Sequence, residues 1–385
     1  MTAQLIQYAL VFVGTLFLLR LLSRLAVKVG LVDYPGRRKR HRGEIPLIGG
    51  PAIFAGFAFG ALFISDSLYA YRPLFAALAV LLIAGLLDDL RDLTPRQKFV
   101  AQLIAGLCFV YWGDHTVLSL GDILSIDAIS THYWAIPFTL IALLGLINAV
   151  NMTDGADGLA SGLALIALLF LAVCAVLTGR LASAQLVFTI VAAVAAFWVM
   201  NMRFPWQAHA RVFLGDSGSM ILGALLTWFS IEVARGRGGI YPIAAVWFLA
   251  LPLLDMGVVI LRRLARGHSP FRAGRDHLHH MLIGAGMSPG AAVLLVLMLG
   301  LALAATGFFA WRAGIPEYWL FLGFVALLII SSVLSWRWTR YARFLRRRFR
   351  RPASRVLAGG QLPSSDSRSV LQPQSRPSDS FGSRN

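Results

Sequence analysis

Apolar runs of roughly 17–25 residues recur along almost the whole chain, separated by short polar connectors. This recurrence limits the fold more than any single motif. A backbone that crosses hydrocarbon must satisfy its own hydrogen bonds, so each run is predicted to be a helix. A β-barrel would instead show short alternating segments. The expected fold class is all-α, a polytopic integral membrane protein of about eleven transmembrane helices. The expected spans lie at about 6–27, 50–65, 74–87, 99–112, 133–147, 159–177, 182–200, 219–233, 241–261, 290–311 and 318–338. A composition 58% hydrophobic and only 14% charged agrees. The first run has no charged leader and is long enough to span, so it reads as a helix of the protein and not as a cleaved signal.

The net charge of +17 could suggest nucleic acid. However, the basic residues sit in short loops and a tail between and after spans, where the positive-inside rule explains them better. Anionic lipid headgroups and anionic substrates are the expected partners, with no nucleic acid. The same bias puts the N-terminus outside and the C-terminus in the cytoplasm. Residues 1–338 read as one transmembrane catalytic domain and 339–385 as a basic tail, expected to be disordered from about residue 352. Cys108 and Cys174 each stand alone in an apolar run, which gives neither a disulfide framework nor a metal site.

With spans placed this way, every chemically rich connector falls on one membrane face. The stretch NAVNMTDGADGLASGL holds Asn148, Asn151, Asp154, Gly155 and Asp157 between two apolar runs. Glycines there permit close backbone approach and positive φ, and a following helix start offers free N–H groups to an anion. DDLRD places Asp88, Asp89 and Asp92 at a helix end. Asp88 and Asp92, four apart, should share a face, with Asp89 turned about 100° away. Clustered carboxylates beside a bilayer repel one another and are costly to desolvate. A bound Mg²⁺ or Mn²⁺ would relieve that, and hard oxygen donors without thiols suit those ions. Asp216 in FLGDSGS is either a helix N-cap or a metal ligand; beside the other acids, the ligand reading is preferred. Lys39 and His41 lie in a loop that Pro46 and Gly49-Gly50 should order, making them candidates for holding phosphate. His277, His279 and His280 in DHLHH lack the cysteines usual in a closed zinc site and suit a diphosphate better. Asp255 sits inside a span, so it is either paired or functional. Carboxylates, cations and glycine turns on one face suggest metal-assisted reaction of a phosphorylated substrate with a membrane-soluble one.

The pieces RKRHRGEIPLIGG, DDLRD, NAVNMTDGADGL, FLGDSGS and DHLHH, in this order across about 33–288, resemble the polyprenyl-phosphate N-acetylhexosamine-1-phosphate transferases. In that family, the enzymes making lipid-linked muramoyl-pentapeptide typically end the first acidic motif with lysine, where this chain has Asp92. DHLHH is similar to the histidine loop of the branch that uses UDP-GlcNAc. The resemblance therefore implies transfer of GlcNAc-1-phosphate from UDP-GlcNAc to undecaprenyl phosphate, releasing UMP, as the first membrane step of a surface polysaccharide. It places the enzyme in the bacterial cytoplasmic (inner) membrane with its site on the cytoplasmic face. Another UDP-N-acetylhexosamine is the alternative donor, and an ion-coupled transporter is the rival class. The resemblance also implies roles. Asp216 is the expected Mg²⁺ ligand, with Asp89 beside it. Asp88, Asp89 and Asp92 form the catalytic motif, Asp88 being the expected base. Phe213 stacks on uracil; Asn148, Asn151, Asp154, Gly155 and Asp157 hold the nucleoside side. Lys39, His41, His277, His279 and His280 hold the diphosphate. Oligomeric state stays open, a homodimer being one option.

Overall fold

The computed structural model describes residues 2–34, 43–64, 67–236, 238–269, 274 and 276–338. The tail expected at 339–385 lies outside them, as do Lys39 and His41. The regular secondary structure of the described residues is helical apart from one two-stranded ribbon. In order it runs α1 (Thr2–Val29), β1 (Val32–Asp33), β2 (Ile45–Pro46), α2 (Gly49–Ala61), α3 (Arg72–Arg91), α4 (Pro95–Leu107) and α5 (Ala135–Thr153). It continues through α6 (Leu159–Leu177), α7 (Leu181–Asn201), α8 (Gly215–Ala234), α9 (Pro242–Phe248) and α10 (Ala250–Leu264). The last three are α11 (Leu278–Gly284), α12 (Pro289–Arg312) and α13 (Glu317–Trp336).

Helix α8 is the axis of the bundle. Of its apolar stretch 83% is buried, against 22% for α1 and 11% for α13, so α8 is core while α1 and α13 face outward. It packs on α3, α5, α2 and α6. Small residues let these backbones approach. A Cβ on Gly85 of α3 would fall 2.2 Å from Ser217 Cα of α8, and one on Gly223 of α8 would fall 2.5 Å from Ile147 Cα of α5. Among helices that cannot gain from hydrophobic exclusion in lipid, such close packing is a main source of cohesion.

The helices fall where the apolar runs predict them, but they are not all alike. Among the described residues eight are long and apolar enough to cross a membrane, and the bent pair α9–α10 can count as a ninth. The predicted spans at 50–65 and 99–112 correspond to two thirteen-residue helices, α2 and α4, the latter extended by a wider turn over Cys108–Trp112. The predicted continuous span 241–261 is broken, with α9 and α10 meeting at 81° around Leu249. Pro252 explains the break. It has no N–H for the Phe248 carbonyl four residues back, and its ring crowds that carbonyl.

Candidate active site

The chain reverses direction between successive helices, so α3 and α5 end where α8 begins. The DDLRD acids, the Asn151 turn and Asp216 therefore meet. Asp89 accepts from the Asp216 N–H at 2.8 Å, from the Ser217 N–H at 3.3 Å and from Ser217 Oγ at 3.0 Å. Its carboxylate caps the first turn of α8, where unpaired N–H groups and the helix dipole favour negative charge. Gly215 permits this. Its φ is +73°, and a Cβ there would lie 2.6 Å from Asp89 Oδ2.

Asp88, one residue earlier, points to a cation. Lys98 of α4 forms an ion pair with Asp88 Oδ2 and reaches Asp216 Oδ2 at 3.3 Å. The Leu93 N–H holds Asp88 Oδ1 at 2.7 Å. Asn151 donates its amide to Asp216 Oδ1 and to Ser219 Oγ at 3.0 Å. One ammonium thus bridges two carboxylates, and one amide fixes the second of them. Asp154 lies half-buried at the end of α5; burial, then the carboxylates of Asp216, Asp157 and Asp89, push its carboxyl up to about 7.

The histidine segment closes on the same turn. His279 is 2% exposed, and a Cβ on Gly155 would lie 2.4 Å from its Nε2. No hydrogen-bond partner for that Nε2 is found among the described residues. Burial, then His280, push the His279 imidazole down to about 4, so it is neutral at pH 7. Its ring lies against those of His277 and His280, with centroids 6.1 and 4.1 Å away. Phe213 is half-buried, its backbone joined to the ribbon by Phe213 N–H to Pro46 O at 2.8 Å and Gly49 N–H to Phe213 O at 3.0 Å. The segment leading into α8 is thereby tied to the strand that follows 35–42.

Several expectations need correction or refinement. Asp92 does not share a face with Asp88: α3 ends at Arg91, and Asp92 leaves it exposed in the left-handed region at φ +50°. The four-residue spacing no longer applies once the helix has stopped. Asp89, not Asp92, joins Asp88 at the site. Asn148 donates to Gln102 Oε1 at 3.1 Å and to the Leu144 carbonyl at 2.7 Å, linking α5 to α4. Asp157 accepts from Arg203 Nε at 2.7 Å and from the Ala210 N–H at 3.3 Å, bracing the turn against the segment between α7 and α8. Asp255 is paired with His277, so of the two expectations for an acid inside a span the paired one holds.

Lys98 was not foreseen. The signal for it is Thr94-Pro95-Arg96-Gln97, a capping box with proline in the first turn. It starts α4 four residues before the apolar run and brings Lys98 to the end of the first turn, from which it reaches back to Asp88.

Among the described residues no three His, Cys, Asp or Glu side chains form a ready-made metal cage. Mg²⁺ does not require one, since it is commonly held by one or two carboxylates together with substrate phosphates and water. Asp88 and Asp216 already converge on one positive charge, that of Lys98, and they are hard oxygen donors. The residues present therefore fit such an ion.

Comparison with known proteins agrees with this arrangement. Residues 71–234, from the start of α3 to the end of α8, match the model of glycosyl transferase family 4. A protein of Haemophilus influenzae named undecaprenyl-phosphate alpha-N-acetylglucosaminyl 1-phosphate transferase is 34% identical over 88% of this chain and 97% of its own length. Proteins of the same name from Escherichia coli K12 and Yersinia pestis are 32% and 31% identical, over 89% and 91% of this chain and 94% and 96% of their own lengths. With the acids of α3, the Asn151 turn and Asp216 inside the matched segment and these relatives spanning nearly the whole chain, the protein belongs to glycosyl transferase family 4.

Proposed function

We propose that this protein transfers GlcNAc-1-phosphate from UDP-GlcNAc to undecaprenyl phosphate, giving undecaprenyl-diphospho-GlcNAc and UMP. The observation that carries the reading is the meeting of Asp88, Lys98, Asn151 and Asp216 at the joined ends of four helices. The relatives' shared name supports the substrates. The site belongs on the cytoplasmic face of the bacterial inner membrane, where a water-soluble nucleotide sugar and a lipid phosphate can meet; the basic loops favour that orientation.

The chemistry follows from the substrates. A phosphate monoester has a second pKa of about 6, so the acceptor is largely dianionic near neutrality. One of its oxygens forms a bond to the sugar-bearing phosphorus of the donor. The bond from that phosphorus to the bridging oxygen breaks, and its electron pair leaves with UMP. No proton must be removed from the nucleophile, so positioning and charge neutralisation matter more than a base. Asp216 and Asp88 would hold Mg²⁺, which would neutralise charge on the diphosphate; Asp89, expected as the second ligand, instead has its oxygens on the Asp216 and Ser217 N–H groups and Ser217 Oγ. Asn151 holds Asp216 in register, and Asp89 anchors the first turn of α8 beneath it. Lys98 offsets the acid cluster and is placed to meet phosphate oxygens. The segment from Gly155 to Asp157 and the His277–His280 loop form the donor's other walls, with Phe213 at the nucleoside end.

The test is a transfer assay with the purified chain in detergent, undecaprenyl phosphate, Mg²⁺ and a panel of UDP-sugars. UMP release and a lipid-diphospho-GlcNAc product in mass spectra, with UDP-GlcNAc preferred, are the expected results. Turnover with a different UDP-hexosamine only would change the donor, and no turnover with any donor would reject the reading.

A further inference from the structure

Asp255 lies in α10, away from the carboxylates around Asp216, and its surroundings assign it a job. One oxygen accepts from His277 Nδ1 at 2.8 Å, and the other accepts from the Leu278 N–H at 2.8 Å. The second bond caps α11; the first fixes an imidazole. An ionised carboxylate can only accept, so Nδ1 carries the proton and Nε2 is left as the ring's other polar atom. Two turns further along the same face of α10, Arg262 donates to the Asp276 carbonyl at 2.8 Å, pairs with Asp276 Oδ1 at 3.1 Å and donates to Ser335 Oγ at 2.8 Å. Helix α10 thus grips both sides of the peptide between Asp276 and His277. From His277 the rings of His279, nearly parallel to it, and of His280, tilted by 43°, lead to Gly155.

We infer that Asp255 is a positioning residue, which sets the tautomer and orientation of His277 so that the histidine row presents to the sugar nucleotide. This rests on the donor assignment above. A carboxylate behind a working imidazole is a common device for fixing which ring nitrogen faces outward. Here the bend at Leu249 matters too. It sets the direction of α10, so the helix that carries Asp255 and Arg262 reaches the histidine loop.

Asp255→Asn is the discriminating change, because the amide has one acceptor oxygen where the carboxylate has two. If its oxygen keeps the Leu278 N–H, its NH₂ faces His277 Nδ1 and forces the other tautomer. The expected result is a rise of about tenfold in KM for UDP-GlcNAc, the worth of one hydrogen bond to a charged group. KM for undecaprenyl phosphate and the melting temperature in detergent should stay at the wild-type values. In a double-mutant cycle with His277→Gln, Asp255→Asn should add nothing further, since it acts through that ring. Asp255→Glu, which keeps both acceptors on a longer arm, should give a donor KM between wild type and Asn. Several results would overturn the inference: independent, multiplying effects in the cycle; equal rises in both KM values; an unchanged donor KM; or an Asn chain that fails to fold although the cap can be kept. If wild type itself shows no turnover with UDP-GlcNAc, the donor assignment fails and not Asp255's place in it.

Discussion

The two ends of α8 hold buried polar groups roughly 24 Å apart, and they are built on different principles. At the Glu232 end the carboxylate is met by a hydroxyl and an imidazole, beside a balanced Arg235–Asp114 pair at 3.2 Å. Tyr71 and Ser183 share a hydrogen bond at 2.9 Å, Ser183 donates to Glu232 Oε1 at 3.1 Å, and His115 lies 3.6 Å from Glu232 Oε2. His115 also bonds the Trp228 carbonyl at 2.9 Å and stacks on that indole at 3.8 Å. Burial pushes its imidazole below the usual range, in keeping with a neutral ring there. At the Asp216 end, Asp88 and Asp216 share the ammonium of Lys98, Asp89 caps the first turn of α8, and burial, then the charge of Asp216, Asp157 and Asp89, push the Asp154 carboxyl up. The first arrangement ties helices together. The second gathers hard oxygen donors of like charge, an arrangement suited to a cation and phosphates.

Substitutions at the two ends should therefore differ in kind. The largest effect is expected for Asp216→Asn, which removes the charge but keeps the shape. Turnover should fall by about a thousandfold or more, as for loss of a main electrostatic group, with a lower melting temperature because the ion pair with Lys98 is lost and the bond from Asn151 is weakened. Lys98→Met comes next. Turnover should fall about a hundredfold, with a lower melting temperature, because Asp88 and Asp216 lose the charge between them. Wild-type turnover in that variant would remove Lys98 from the site. Glu232→Gln tests the other end. A loss of about 1–2 kcal/mol in stability is expected from one weakened hydrogen-bond network, read as a lower melting temperature, with unchanged turnover per folded molecule. A selective loss of turnover there would erase the distinction between the ends. The smallest effect is expected for Asp92→Ala. Its exposed position beyond the end of α3 predicts turnover within about twofold of wild type.

Much of this arrangement is legible in the sequence, because it follows from hydropathy. The apolar runs locate the helices, and strict alternation of direction brings DDLRD, the Asn151 turn, FLGDSGS and DHLHH to one end. Hydropathy does not locate helix ends to within a residue. Nothing in DDLRD announces that the helix stops at Arg91, so the four-residue spacing alone places Asp92 wrongly beside Asp88. Lys98 precedes the apolar run, so hydropathy leaves it out, although the capping box at Thr94 and Gln97 has already started the helix. Asp255 was ambiguous because an acid's partner lies far away in the chain; only the fold brings His277 to it. The Pro252 break was visible in principle, since proline within a span has one strong steric consequence.

The most direct test of the contrast is cation binding itself, followed by the electron paramagnetic resonance of Mn²⁺ in the presence of UDP-GlcNAc. Wild type and Glu232→Gln should each bind the ion at one site with the same affinity, and Asp216→Asn should lose it. Binding that survives Asp216→Asn, or that is missing from wild type, would contradict the assignment of the Asp216 end as the cation and phosphate site.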